Sequence, residues 1–159
     1  MSLLLGIEYC KLDSNGRFKF PIALKRQLTS EDCRFVIRPS IYAECLELWT
    51  YASFEAEIAK LQKELNPYSI DDRKLLRKLS EGNIIELDTN DRLVIPTEQR
   101  DRVKTSKELV LQSTGHFIEI WDRDMYSRMN NEGTDYAAMV DQRLGKQAQE
   151  SSPSPEVNR

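Results

Sequence analysis

Apolar and polar residues alternate with a period of two in two stretches that lie 75 residues apart. In Arg17-Phe18-Lys19-Phe20 the rings fall on one side and the cations on the other, the pattern of a half-buried strand. Arg92-Leu93-Val94-Ile95 repeats that pattern in the second stretch. The first strand leaves a tight turn at Asn15-Gly16, a dipeptide whose residues both tolerate positive φ. Each strand runs into a proline, Pro21 or Pro96, that reads as the first residue of a short helix, where a missing N–H costs least. Further along, "RFVIRP" with "CLELW", and "ELVLQ" with "FIEIW", alternate as two hairpins.

The similarity is more than pattern. Between Leu12–Pro21 and Leu87–Pro96, five of ten residues are identical: Leu, Asp, Asn, Arg and Pro. Average composition gives about one identity or fewer in ten. The offset between copies is 75 residues at this motif, 74 at the first hairpin strand and 72 at the second. The second copy has therefore lost residues only in connections, where a shared fold tolerates loss best. One supersecondary unit is built twice: strand, tight turn, strand, short helix, two strands.

Between the copies the periodicity turns helical. "SFEAEIAKLQKEL" stops at Asn66-Pro67, and "SIDDRKLLRKLSEG" opens with Ser69 and Asp72 at capping-box-like spacing. Arg73, Lys74, Arg77 and Lys78 form a basic face there, read as a solvated one. A third helix is expected at about 122–131, and the polar tail "KQAQESSPSPEVNR" is expected to be disordered. The expected organisation is a first repeat at 5–52, a helical linker at 53–81, a second repeat at 82–123, a C-terminal helical segment at 124–145 and a disordered tail at 146–159.

Composition narrows the function classes. The 159 residues are 40% hydrophobic and 31% charged, and no run approaches the roughly 20 apolar residues of a membrane span. The start, "MSLLLGIEYC", lacks the basic region of a signal peptide. Cys10, Cys33 and Cys45 form no CxxC pair, which favours reduced structural thiols in a cytoplasmic protein. The one histidine, His116, sits in a short turn without a nucleophile or carboxylate at a recognisable spacing. No P-loop, GxGxxG or metal-ligand cluster is present, so no enzyme, cofactor or metal is expected.

The repeated Asp and Arg carry the chemistry. Asp13 opens a tight turn, where a carboxylate accepts hydrogen bonds from N–H groups two residues on. Arg17 emerges on the returning strand, and Asp88 and Arg92 repeat the arrangement. An arginine oriented on a protruding turn suits a phosphate or a guanine edge, either of which it grips with two donors.

With "LDSNGRFKFP", "CLELW", "RKLLRKL", "ELDTNDRLVIP" and "ELVLQSTGHFIEIWD" in this order, the chain resembles the MraZ family of bacterial transcriptional regulators over residues 5–130. The resemblance implies an α+β, mainly β fold. In it, two tandem swapped-hairpin SpoVT/AbrB-like β-α-β units share a pseudo-symmetric β-barrel core, with linker and C-terminal helices. It also implies homo-oligomeric rings, cytoplasmic and associated with the nucleoid. Such rings would bind double-stranded DNA as short direct repeats upstream of their own gene, in the division and cell-wall cluster. Asp13 and Arg17 match the first family motif, and Asp88 and Arg92 the second. Asn15 stands where the first motif commonly has Lys, and Asp91 where the second usually has Gly.

Charge separates the copies. Residues 6–28 hold five cations against two anions, net +3, while residues 81–103 hold three against six, net −3. Lys11 becomes Glu86 and Lys19 becomes Val94, and Asp91 places a carboxylate next to Arg92 in sequence. The expected DNA-binding set is therefore Arg17, Asp13, Lys11, Lys19 and Asn15, with Arg92 and Asp88 contributing less. The alternative is a structural or protein-interaction ring of the same fold that has lost DNA binding. A third reading, an antitoxin wrapping a toxin, needs apolar anchors that the tail lacks.

Overall fold

The computed structural model describes residues 3–28, 33–104 and 106–145. The expected disordered tail at 146–159 lies outside the described residues. One compact unit runs through Ser127, and a second begins at Arg128.

The fold is α+β and mainly β. The first copy supplies β1 (Ile7–Lys11), β2 (Arg17–Lys19), helix α1 (Ile22–Lys25) and the hairpin β3 (Arg34–Pro39) and β4 (Leu46–Thr50). Helices α2 (Tyr51–Glu64) and α3 (Ile70–Leu79) follow. The second copy supplies β5 (Asn83–Glu86), β6 (Arg92–Val94), a 3-10 helix (Thr97–Arg102) and the hairpin β7 (Glu108–Ser113) and β8 (Ile118–Asp122). Helix α4 (Arg123–Asn130) comes next. In the second unit, α5 (Tyr136–Val140) runs into a π-helical turn, Asp141–Gly145.

The copies are interleaved. Six strands form one antiparallel sheet in the order β1-β7-β8-β4-β3-β5, and β2 and β6 form a separate ribbon. The first strand of each copy pairs with the hairpin of the other: Tyr9 lies opposite Val110, and Ile85 opposite Phe35. The sheet order reads the same from both ends once copy one is exchanged for copy two. Its centre is the contact of β4 with β8, where Glu47 faces Glu119.

One core serves both copies. Phe18, Phe20, Phe35, Ile37, Leu46 and Leu48 are buried, and so are their counterparts Leu93, Ile95, Leu109, Leu111, Ile118 and Ile120. Three phenylalanines of copy one are answered by smaller aliphatic side chains in copy two, and the Phe20 and Phe35 rings meet at 5.1 Å. Complementary volumes of this kind bring a shared interior to crystal-like density. The exception is Leu24, whose counterpart Gln99 is buried and donates to Asn83 at 3.0 Å.

Two local expectations need correction. Pro21 and Pro96 are helix N-caps with extended backbone, at ψ 136 and 143, and not the first helical residues. The short helix expected in "PTEQRDRV" is present and is of the 3-10 type. Ser69 caps α3 by accepting from the Asp72 N–H at 3.3 Å, but the Asp72 carboxylate reaches back to the Asn66 N–H at 2.8 Å and closes the preceding turn instead.

None of the three cysteines forms a disulfide. Burial, with Glu8 nearby, pushes the Cys10 thiol up to about 11, and burial beside Glu119 pushes Cys45 up to about 12. Thiols react as thiolates. Iodoacetamide at pH 8 is therefore expected to add one adduct to the native protein, on exposed Cys33. All three should react once the chain is unfolded. An intact-mass measurement showing Cys45 modified in the native state would contradict this burial.

Candidate nucleic-acid interface

The two repeated turns have the same atomic construction. In the first, Asp13 Oδ1 accepts from the N–H groups of Asn15 and Arg17, both at 2.9 Å. The Asp13 N–H donates to the Arg17 carbonyl at 2.9 Å, closing the loop. In the second, Asp88 Oδ1 accepts from Asn90 at 2.8 Å and Arg92 at 2.9 Å, and its N–H donates to the Arg92 carbonyl at 2.9 Å. Two N–H donors stabilise each ionised carboxylate, so both Asp13 and Asp88 titrate below the usual carboxylate value. The arginine of the opposite copy adds to this in both cases.

A lowered folded-state pKa means stability that is complete above the ordinary value and lost as pH falls below it. The turns are therefore expected to weaken below pH 3.8. Replacing both aspartates by asparagine keeps an acceptor but removes the charge. The gap in melting temperature between wild type and the Asp13→Asn/Asp88→Asn variant should narrow as pH drops through that range. A gap that stays constant from pH 7 to pH 3 would mean the carboxylates are not held as described.

The ribbon sets what these turns present. In its register Arg17 faces Val94, Phe18 faces Leu93 and Lys19 faces Arg92. Phe18 and Leu93 point into the core, so Arg17, Lys19 and Arg92 share the outer face. Lys19 and Arg92 stand directly opposite one another, a like-charge pair that costs stability unless an anion bridges it. The two arginines differ. Arg92 Nε lies 3.7 Å from Asp88 Oδ2, is itself buried, and has no hydrogen-bond partner among the described residues. Arg17 has no side-chain hydrogen bond or ion pair among the described residues.

Lys11, expected in the same DNA-binding set as Lys19, stands on a different element. It ends β1 in the large sheet, opposite Glu108, whereas Arg17 and Lys19 stand on the ribbon. Lys11 and Lys19 meet only as part of the rim of one open recess of about 480 Å³. Asn15 is exposed at the turn tip, and its N–H is taken by Asp13.

Asp91 is also placed differently. Its carboxylate is held by Lys25 of copy one, 2.8 Å away, and the pairing raises the Lys25 pKa. Asp91 has φ +58, where Gly16 of the first turn has φ +76. A non-glycine residue there costs roughly 1 kcal/mol, somewhat less for aspartate. The counterpart of Lys25 is Arg100, which crosses in the other direction. Its Nε donates to the Ile95 carbonyl at 2.7 Å while its guanidinium covers Gly16. A Cβ at Gly16 would stand 2.2 Å from Arg100 Nε. The guanidinium as it lies leaves no room for a Cβ beneath it, and the shorter ammonium meets an aspartate. Sequence reasoning counted Lys25 and Arg100 only as charges. The signal was available in the coupled change, Gly to Asp in one turn and Arg to Lys in the segment that covers it.

The remaining candidates stay apart from the ribbon. His116 is exposed in the turn between β7 and β8. In the basic face of α3, Arg73 Nε donates to the Pro67 carbonyl at 2.9 Å and Lys78 pairs with Glu81 at 3.2 Å. Arg102, counted in the charge of copy two, donates to the carbonyls of Ser40, Ala43 and Cys45 at 3.2–3.5 Å and is structural.

This geometry sits on a chain with close relatives. It is 33% identical over 148 residues to "Transcriptional regulator MraZ" of Flavobacterium psychrophilum, covering 91% of this chain and 94% of that one. The protein of the same name from Christiangramia forsetii is also 33% identical, over 146 residues, covering 89% and 93%. The chain belongs to the MraZ family. The protein of that name from Cytophaga hutchinsonii is 27% identical over 146 residues, covering 91% of this chain and 96% of that one. The family model described as "MraZ protein, putative antitoxin-like" matches residues 79–144, which include the second Asp-Arg turn but not the first. Among the described residues, no helix of this MraZ-family chain is long and apolar enough to cross a membrane.

Proposed function

We propose that this chain is a sequence-specific DNA-binding transcriptional regulator that meets duplex DNA with the outer face of the β2–β6 ribbon. The observation that carries this reading is the ribbon itself. Arg17, Lys19 and Arg92 sit together on a two-stranded element whose other face is locked into the core. A two-stranded ribbon fits the major groove, and arginine is the residue that most often reads guanine there. Arg17 is the reader, presented by a turn that Asp13 fixes without tying up its guanidinium. Lys19, Lys11 and Arg92 neutralise phosphates, and Asp88 and Asn15 shape the turns.

The relatives' shared name supports regulation of transcription as the role. The target proposed is the set of short direct repeats upstream of its own gene, in the division and cell-wall cluster, read in the cytoplasm at the nucleoid. Segments 5–52 and 82–123 act as tandem SpoVT/AbrB-like repeats joined by the linker 53–81, with 124–145 as a C-terminal helical segment. Assembly into a homo-oligomeric ring is supported by the sheet edges. Among the described residues, strands β1 and β5 each lack a neighbour on one side, and Ile7, Tyr9 and Ile84 on them are exposed. An apolar open edge is a pairing surface, and joining one edge to the other in a head-to-tail fashion closes into rings.

The test is an electrophoretic shift of the duplex upstream of the gene against a scrambled duplex of equal length, with light scattering alongside. The expected result is a mass well above twice 18.5 kDa and a preference for the upstream duplex. A ring with no shift on either duplex would instead select the protein-interaction reading.

A further inference from the structure

We propose that a recess beside the first turn, walled by Arg100, Lys104 and Lys107, is a phosphate subsite for the backbone of the duplex that the turn reads. The proposal rests on the DNA reading above and adds a site outside the ribbon. The recess measures about 250 Å³ and is bounded on its other side by Asp13 and Gly16. That space admits a phosphodiester group, and its charged lining is cationic except for Asp13.

The strand exchange creates this site. Its three cations belong to the segment of copy two, which is acidic as a whole, yet they are delivered to the turn of copy one. The Leu12 N–H donates to the Lys107 carbonyl at 2.9 Å, and the Ile95 N–H to the Gly16 carbonyl at 2.8 Å. Lys107 has φ +59, a conformation most side chains avoid, and is held there at the end of β1. Its ammonium has no hydrogen bond or ion pair among the described residues.

The opposing charges are weak competitors. Asp13 Oδ1 is already turned to two backbone N–H groups. Asp101 pairs with Lys104 at 2.6 Å, but both side chains are mostly exposed, and such pairs yield readily to a stronger anion. Among the described residues, the second turn does not carry the same cations. The counterpart of Lys107 is Cys33, whose carbonyl accepts the Leu87 N–H at 3.0 Å, and the counterpart of Arg100 is Lys25, which Asp91 occupies. Among the described residues, the recess thus distinguishes the first turn from the second.

The test compares the full-length wild type with the Lys104→Gln/Lys107→Asn variant, asparagine being chosen because it tolerates positive φ. Fluorescence anisotropy is read on the upstream and scrambled duplexes at several salt concentrations. Affinity for both duplexes should fall by the same factor, roughly tenfold at 0.1 M salt, and the slope of log K against log salt should flatten by about 0.9 for each phosphate that is no longer neutralised. Mass and melting temperature should not change, and Lys104→Gln alone should give about half of the slope change. Unchanged affinity and slope, or a weakening confined to the upstream duplex, would overturn the subsite while wild-type binding keeps the DNA reading intact. Wild type that binds neither duplex would remove both. Inorganic pyrophosphate at constant ionic strength should not compete. Saturable competition at micromolar concentration would make the recess a small-anion site and overturn its assignment to the DNA backbone.

Discussion

Arg17→Ala is expected to lose nearly all binding to the upstream duplex while the oligomer and the melting temperature stay as in wild type. A two-donor contact from arginine to a base is worth about 1–3 kcal/mol, or roughly 5- to 150-fold. If two subunits of a ring engage neighbouring repeats, the effects combine to about 2–6 kcal/mol, because linked contacts act through effective concentration. Stability should be spared for a geometric reason. The Asp13 carboxylate is held by backbone N–H groups of residues 15 and 17, and these survive truncation of the Arg17 side chain. An arginine that merely braced the turn would give the opposite pair of results, a lower melting temperature and wild-type affinity. Arg92→Ala should be milder, under about tenfold, since Arg92 must leave Asp88 before it can meet a new anion. Equal weakening by the two substitutions would refute the asymmetry.

Truncation after residue 66 is expected to abolish folding of the fragment as a monomer. The cut removes β7 and β6, which among the described residues are the only strand partners of β1 and β2, and it strips β8 from β4. Among the described residues, seven of the sixteen side chains in the central cluster lie beyond the cut: Leu93, Ile95, Val103, Leu109, Leu111, Ile118 and Ile120. Each buried side chain of this size contributes about 1.5–3 kcal/mol, so the deficit, roughly 10–21 kcal/mol, is as large as the whole 5–15 kcal/mol by which a typical domain is stable. A fragment that does fold should do so only as a dimer. Strand β2 pairs antiparallel about Phe18, and a second copy can offer the same strand in place of β6. Circular dichroism melts with light scattering decide the matter. A sharp transition in a monomeric fragment would mean that the copies do not share their core.

The strands could be read in the sequence because period-two alternation reports which face is buried, and Phe18, Phe20, Leu93 and Ile95 all proved to face inward. The turns could be read because Asp13 and Gly16 answer local needs, an acceptor for nearby N–H groups and a residue at positive φ. Strand partners could not, since alternation is blind to what lies beside a strand. Nothing in "IEYCK" says that it pairs with "ELVLQ" a hundred residues on. That same blindness misassigned charge. Adding up ions within a repeat gave Arg100 to an acidic copy, whereas the exchange lays it over Gly16 of the basic one. The Lys25–Asp91 pair was hidden for the same reason: the carboxylate was judged by its neighbour in sequence, Arg92, and not by the helix that crosses it in space.

The central claim is that the β2–β6 ribbon is the surface that touches DNA, and site-specific photocrosslinking tests it most directly. Benzoylphenylalanine is placed at Lys19 on the ribbon in one variant and at Arg77 on the basic face of α3 in another, both exposed positions. Each full-length oligomer is irradiated with labelled upstream duplex. A crosslink from position 19 and none from position 77 is the predicted result. A crosslink from position 77 with position 19 silent would place the DNA on α3 and contradict the account.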